Sequence, residues 1–169
     1  MQANTLASSL TTRGTPAFKR QAVGWILVVL NTLAAINSTF AFLGILKVGV
    51  VGWLMMNTCA PGIALFVAGF LLGSPVTMVA ASAMMFRYGT LGLFVFGWGG
   101  YNLVAQAGHI LMTVAVIYVM ADIVRFRRWK VFGLGLAWGV ALLIPIMVVQ
   151  TMWFNAHPGV LDKLFAGNL

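Results

Sequence analysis

Long uncharged apolar runs, each closed by cations, tryptophans or a glycine-rich turn, set the pattern of this chain. The run 23–46 follows Lys19 and Arg20, carries Trp25 near its start and stops at Lys47. The run 131–154 follows "RFRRWK", has Trp129 and Trp153 at its two ends and contains Pro145, which is expected to kink it. Between them, 48–124 holds only Arg87, His109 and Asp122 as titratable groups besides Cys59 and the tyrosines. At roughly 20 residues per crossing, the pattern predicts spans over 23–46, 49–73, 75–98, 101–123 and 131–154. The fold class is then an all-α, polytopic integral membrane bundle of five helices. The domains expected are a polar basic tail over 1–22, a transmembrane helical domain over 23–154 and a short C-terminal tail over 155–169.

The cations orient this array. One cluster is Arg13, Lys19 and Arg20, and the other is Arg125, Arg127, Arg128 and Lys130. The positive-inside rule places both in the cytoplasm, so an even number of crossings separates them and the N-terminus lies inside. A four-span arrangement is the rival: it merges the segment around "SPVTMVAASAMMFRYG" with its neighbours, makes Arg87 an interface anchor and leaves one basic cluster outside. "NSTFA" ends in a small-x-small pattern after an apolar run, but the first span is read as a retained anchor. The polar tail is expected to be disordered if free in the cytoplasm.

Composition agrees with the pattern and narrows the function. The chain of 169 residues is 62% hydrophobic and 7% charged, outside the range of soluble domains. Its net charge of +8 comes from ten Lys and Arg against Asp122 and Asp162. The cations flank apolar runs, so a bilayer and not a nucleic acid is the expected partner. One cysteine, Cys59, excludes an internal disulfide and any CxxC arrangement. Phosphate-loop, dinucleotide, HExxH and nucleophile-elbow motifs are lacking, and no second intramembrane histidine pairs with His109 for a bis-histidine haem. No cofactor is expected; a quinone or haem is the remote alternative. Gly69 with Gly73, and Gly135 with Gly139, form GxxxG pairs that predict close helix packing.

One stretch departs from lipid solubility. "NLVAQAGHILMT" sets Asn102, Gln106, His109 and Thr113 four, three and four residues apart, on one face of a helix. Counted from the expected outer face, His109, Asn37 and Asn57 lie about eight residues deep and Arg87 about eleven, at about 1.5 Å per residue. All five spans thus bring polarity or a helix break to a similar layer. The expected ligand-binding residues are Arg87, Asn102, Gln106, His109, Thr113, Asn57 and Asn37. The competing reading is interhelical glue, in which these side chains bond only to each other.

Three functions follow. The first is a non-enzymatic membrane subunit that captures or passes a small polar or anionic solute through the outer polar layer. The second is an accessory or assembly subunit of a larger respiratory, photosynthetic or secretion complex, with other membrane subunits or further copies of itself as partners. The third is a quinone-binding or redox protein with His109 and Arg87 at the headgroup. With only two carboxylates, acid and base catalysis is poorly supplied. The expected location is a bacterial or archaeal cytoplasmic membrane.

Overall fold

The computed structural model describes residues 21–45, 47–99 and 102–160. The expected N-terminal tail, apart from its last two residues, and the C-terminal tail beyond Val160 lie outside them, as do Gly100 and Tyr101 of the turn at 97–101. The described residues are helical, without strands. The helices are α1 (Ala22–Phe40, continued as a π-turn over Ala41–Ile45), α2 (Gly49–Met56), α3 (Cys59–Leu72), α4 (Pro75–Met85, continued as a π-turn over Phe86–Thr90), α5 (Gly92–Val95), α6 (Asn102–Arg125) and α7 (Trp129–Ala156). Four segments are long and apolar enough to cross a membrane by themselves, and α2 with α3 makes a fifth when the bent pair is taken as one span.

That second span differs from the single helix expected over 49–73. It breaks at Asn57 and Thr58, and its halves meet at 74°. Pro61 is the physical cause. It has no N–H for the Asn57 carbonyl and its ring would crowd that group, which favours a break here, whereas α7 runs on through Pro145. The Asn57 carbonyl accepts instead from Ala60 N–H at 3.0 Å, and Pro61 sits in the first turn of α3, where its missing donor costs little.

Neighbouring contacts give the direction of each helix. Trp25 stacks edge-on against Phe70 and Asn57 bonds Ser38, so α3 runs antiparallel to α1. Gly62 lies against Met84 and Met85 while Gly69 lies against Met78, so α4 turns back along α3. Gly89 meets Met112 and Gly92 meets His109, so α6 descends beside α4. Gly135 meets Val76 and Val79, and Gly139 meets Ala80 and Ala83, so α7 rises parallel to α4. The five segments therefore alternate in direction. At the lower end, Gln21 shares a small cavity with Tyr118, Asp122 and Arg125, which puts the start of α1 and the end of α6 on one side.

The interior is phenylalanine, methionine and small residues. Phe66, Phe70, Met78, Met85 and Met112 are fully or almost fully buried. Outside, large apolar side chains stand free: Phe94 is 83% exposed and Leu72 77%. Such a surface suits hydrocarbon. Because lipid is as apolar as leucine, association of these helices depends on close packing and interior hydrogen bonds. A Cβ at Gly135 would lie 2.5 Å from Val79 Cβ and 2.7 Å from the Val76 carbonyl oxygen, and one at Gly139 2.7 Å from Ala83 Cβ. The 135/139 pair is thus the contact of α7 with α4. Gly69 packs likewise on α4, but Gly73 has another role: at φ 65° it closes α3, with Ser74 N–H bonding the Gly69 carbonyl at 2.9 Å.

Candidate functional site

Polar side chains collect at the break in the second span. Asn57 is 1% and Thr58 4% exposed, so neither meets lipid. Asn57 Nδ2 donates to Ser38 Oγ of α1 at 3.0 Å, and the Cys59 thiol donates to Asn57 Oδ1 at 2.9 Å. From α7, Gln150 Nε2 donates to the Met55 carbonyl at 2.7 Å and reaches Thr58 Oγ1 at 3.4 Å. Tyr88, turned inward by the π-turn after α4, donates its hydroxyl proton to Gln150 Oε1 at 3.2 Å. Gln150 of α7 thus supplies the hydrogen bond to the broken backbone, while Ser38 and Tyr88 hold the side chains around it; away from water, an unmet carbonyl costs free energy.

The stripe on α6 forms a second group. Gln106, fully buried, donates from Nε2 to the Phe96 carbonyl at 2.7 Å, where the chain leaves α5. Its Oε1 lies 3.0 Å from His109 Nδ1, which places the imidazole proton on that nitrogen. The imidazole stacks on Phe96 with centroids 5.4 Å apart and lies over Gly92, where a Cβ would come within 2.7 Å of the ring. Gly92 is what admits the imidazole. One turn further, Thr113 shares a hydroxyl hydrogen bond of 3.0 Å with Thr90.

The remaining expected residues stand apart from these groups. Asn102 is half-buried at the first turn of α6. Arg87 is exposed, with its guanidinium 5.6 Å from the Tyr88 ring centroid, and Asn37 is exposed on α1. The π-turn explains the split: it sends Tyr88 and Thr90 inward and leaves Arg87 outside. Tyr88 went unread in the sequence because a tyrosine beside an arginine suggests an interface anchor. Asn31 also went unread. It is fully buried in mid-α1, with Nδ2 donating to the Leu27 carbonyl at 2.9 Å. Among the described residues no group of three or more His, Cys, Asp or Glu side chains is placed to hold a metal ion.

A larger space lies elsewhere. An open groove of about 1010 Å³ runs between α1 and α3, and its lining is almost wholly apolar. Ala60, Ala64 and Ala68, four residues apart on α3, form one wall, and Ala35 and Gly44 stand opposite.

Taken together, an all-α bundle with four or five crossing-length apolar segments is compatible with an integral membrane protein. Comparison of the chain with known proteins finds no matching family, no matching curated protein and no matching solved structure.

Proposed function

We propose that this chain is a small, non-enzymatic integral membrane subunit that docks into a larger membrane complex, respiratory, photosynthetic or secretory in kind. The supporting observation is the α1–α3 groove. Alanines at helical spacing on α3 form one wall of this groove, between the bulky side chains of Ile36, Phe40 and Leu71 that also line it. Small residues let a neighbouring backbone approach closely, the main source of helix association in lipid. A transmembrane helix of a partner subunit is the fitting occupant. The α6 stripe weighs against a solute site there, because Gln106, His109 and Thr113 find partners within this chain. On this reading the basic turn after α6 faces the cytoplasm, and the membrane is a bacterial or archaeal cytoplasmic one.

The test is gentle solubilisation followed by native mass spectrometry, for the wild type and for Ala64→Leu, which fills the groove from an exposed position. The wild type is expected in an assembly well above its own 18.2 kDa. Ala64→Leu is expected to melt like the wild type and to leave that assembly. A wild type found alone, or an Ala64→Leu variant that stays assembled, overturns the reading.

A second reading draws on the broken span: passage of a small polar solute at Asn57 and Thr58, since interrupted helices in membranes commonly line solute or ion paths. It expects a homo-oligomer of this chain alone in the same spectra.

A further inference from the structure

The turn joining α6 to α7 concentrates charge that the chain does not neutralise. Arg125, Arg127, Arg128 and Lys130 fall within six consecutive residues. Asp122 holds Arg128, Nε to Oδ2 at 3.7 Å, with both side chains only 9% exposed. The only other acidic side chain in the sequence is Asp162. Val160, two residues before it, is separated from the turn by the 28 residues of α7, roughly 42 Å of helix. Arg125, Arg127 and Lys130 are exposed. Among the described residues the one acidic side chain is Asp122, which pairs with Arg128 and shares a cavity with Arg125, so Arg127 and Lys130 meet no carboxylate there.

The backbone of the turn adds a second observation. Arg128 N–H bonds the Ile123 carbonyl at 3.0 Å and Arg127 N–H bonds the Val124 carbonyl at 3.3 Å. This closure sets Arg127 in the left-handed position, φ 51°, which glycine ordinarily fills. A side chain there carries a conformational cost. A guanidinium is held where the fold alone would favour a glycine, and strain of this kind points to function.

The surroundings indicate what the cations meet. Phe126 and Trp129, 45% and 55% exposed, flank them, and Val124 and Leu134, 55% and 53% exposed, continue the surface along α6 and α7. Cation, aromatic ring and aliphatic side chain follow in the order of headgroup, interface and acyl chain in one leaflet. The Asp122 carboxylate lines the small cavity behind the turn and would repel a phosphate there, so the binding face is the outer one, with the exposed Arg125 at its edge because that residue also lines the cavity. We infer that the α6–α7 turn is a docking site for an anionic phospholipid, with its phosphate on Arg125, Arg127 and Lys130 and its acyl chains along Val124 and Leu134.

The test uses the full chain in detergent and native mass spectrometry of retained lipid, comparing phosphatidylglycerol with phosphatidylcholine. Each cation near a charged membrane surface contributes about five-fold in binding, so the wild type is expected to favour phosphatidylglycerol by one to two orders of magnitude. The triple variant Arg125→Gln, Arg127→Gln, Lys130→Gln is expected to lose that preference, while Arg87→Gln, an exposed cation elsewhere, keeps it. Inorganic phosphate at millimolar concentration is expected to leave the lipid in place. If the triple variant does not fold, Arg127→Gly, which suits the left-handed position, carries the test with an expected loss of about five-fold. Equal retention of both lipids by the wild type, or an unchanged preference in the charge variants, overturns the site. Displacement by phosphate makes it a free-anion site and overturns the lipid assignment.

Discussion

Gln150 shows how one interior side chain compensates a defect in the backbone. The Met55 carbonyl leaves the helical ladder at the break, and Gln150 Nε2 meets it at 2.7 Å while Tyr88 bonds the other end of the same amide. Gln150→Leu strands that carbonyl inside the bundle, an expected cost of about 1–3 kcal/mol. Thr113→Val removes the hydroxyl that bonds Thr90 and the His109 carbonyl of its own helix, of which only the Thr90 bond joins two helices, at an expected cost of about 0.6 kcal/mol. Thermal melting in detergent is expected to show the larger drop for Gln150→Leu, and equal drops would contradict the role of Gln150 at the break. Arg87 illustrates the limit of residue-level reading. Its depth along the chain was legible, but the side it faces depends on the π-turn over Phe86–Thr90, a detail of backbone winding that spacing does not carry.

Among the elements, the α4–α7 pair is held by the closest approach of backbones. Gly135 and Gly139 lie on Val76, Val79, Ala80 and Ala83 with no room for a side chain. Gly135→Leu is therefore expected to destabilise by about 1–3 kcal/mol or more through overpacking, whereas Leu134→Ala, at a position 53% exposed, is expected to change little. Comparable melting temperatures for the two variants would place the α7 interface elsewhere. The other glycine pair was legible only as spacing. Gly73 ends α3 because the following Ser74 and Pro75 start a new helix, with Ser74 Oγ accepting from Thr77 N–H at 3.3 Å. Pro61, four residues after Asn57, was the available signal for the broken span, and the long apolar run around it obscured the signal.

For the whole molecule, alternating directions place the start of α1 beside the end of α6, and the end of α7 at the opposite end. Cysteines introduced at positions 14 and 159, in a Cys59→Ala background, are accordingly expected to react with impermeant reagents from opposite sides of sealed vesicles. Labelling from the same side would rule out five traverses. The apolar exterior has a counterpart in the interior: among the described residues a few polar side chains, Ser38, Asn57, Tyr88, Thr90, Gln106, Thr113 and Gln150, make hydrogen bonds across the bundle.

The sequence alone determined the class of the molecule, the order of its apolar segments and the helical face that carries Gln106, His109 and Thr113. These follow from composition and from a period of 3.6, which act within one helix and need no knowledge of its neighbours. Only the tertiary structure decided what those side chains do. What a polar group in a membrane helix meets depends on what stands opposite, and here Phe96 stands opposite Gln106 and His109, and Thr90 opposite Thr113. The same holds at the surface. Alanines four residues apart read as ordinary helix until α1 leaves a groove beside them, and four cations read as a topogenic flank until Asp122 takes one and three remain exposed.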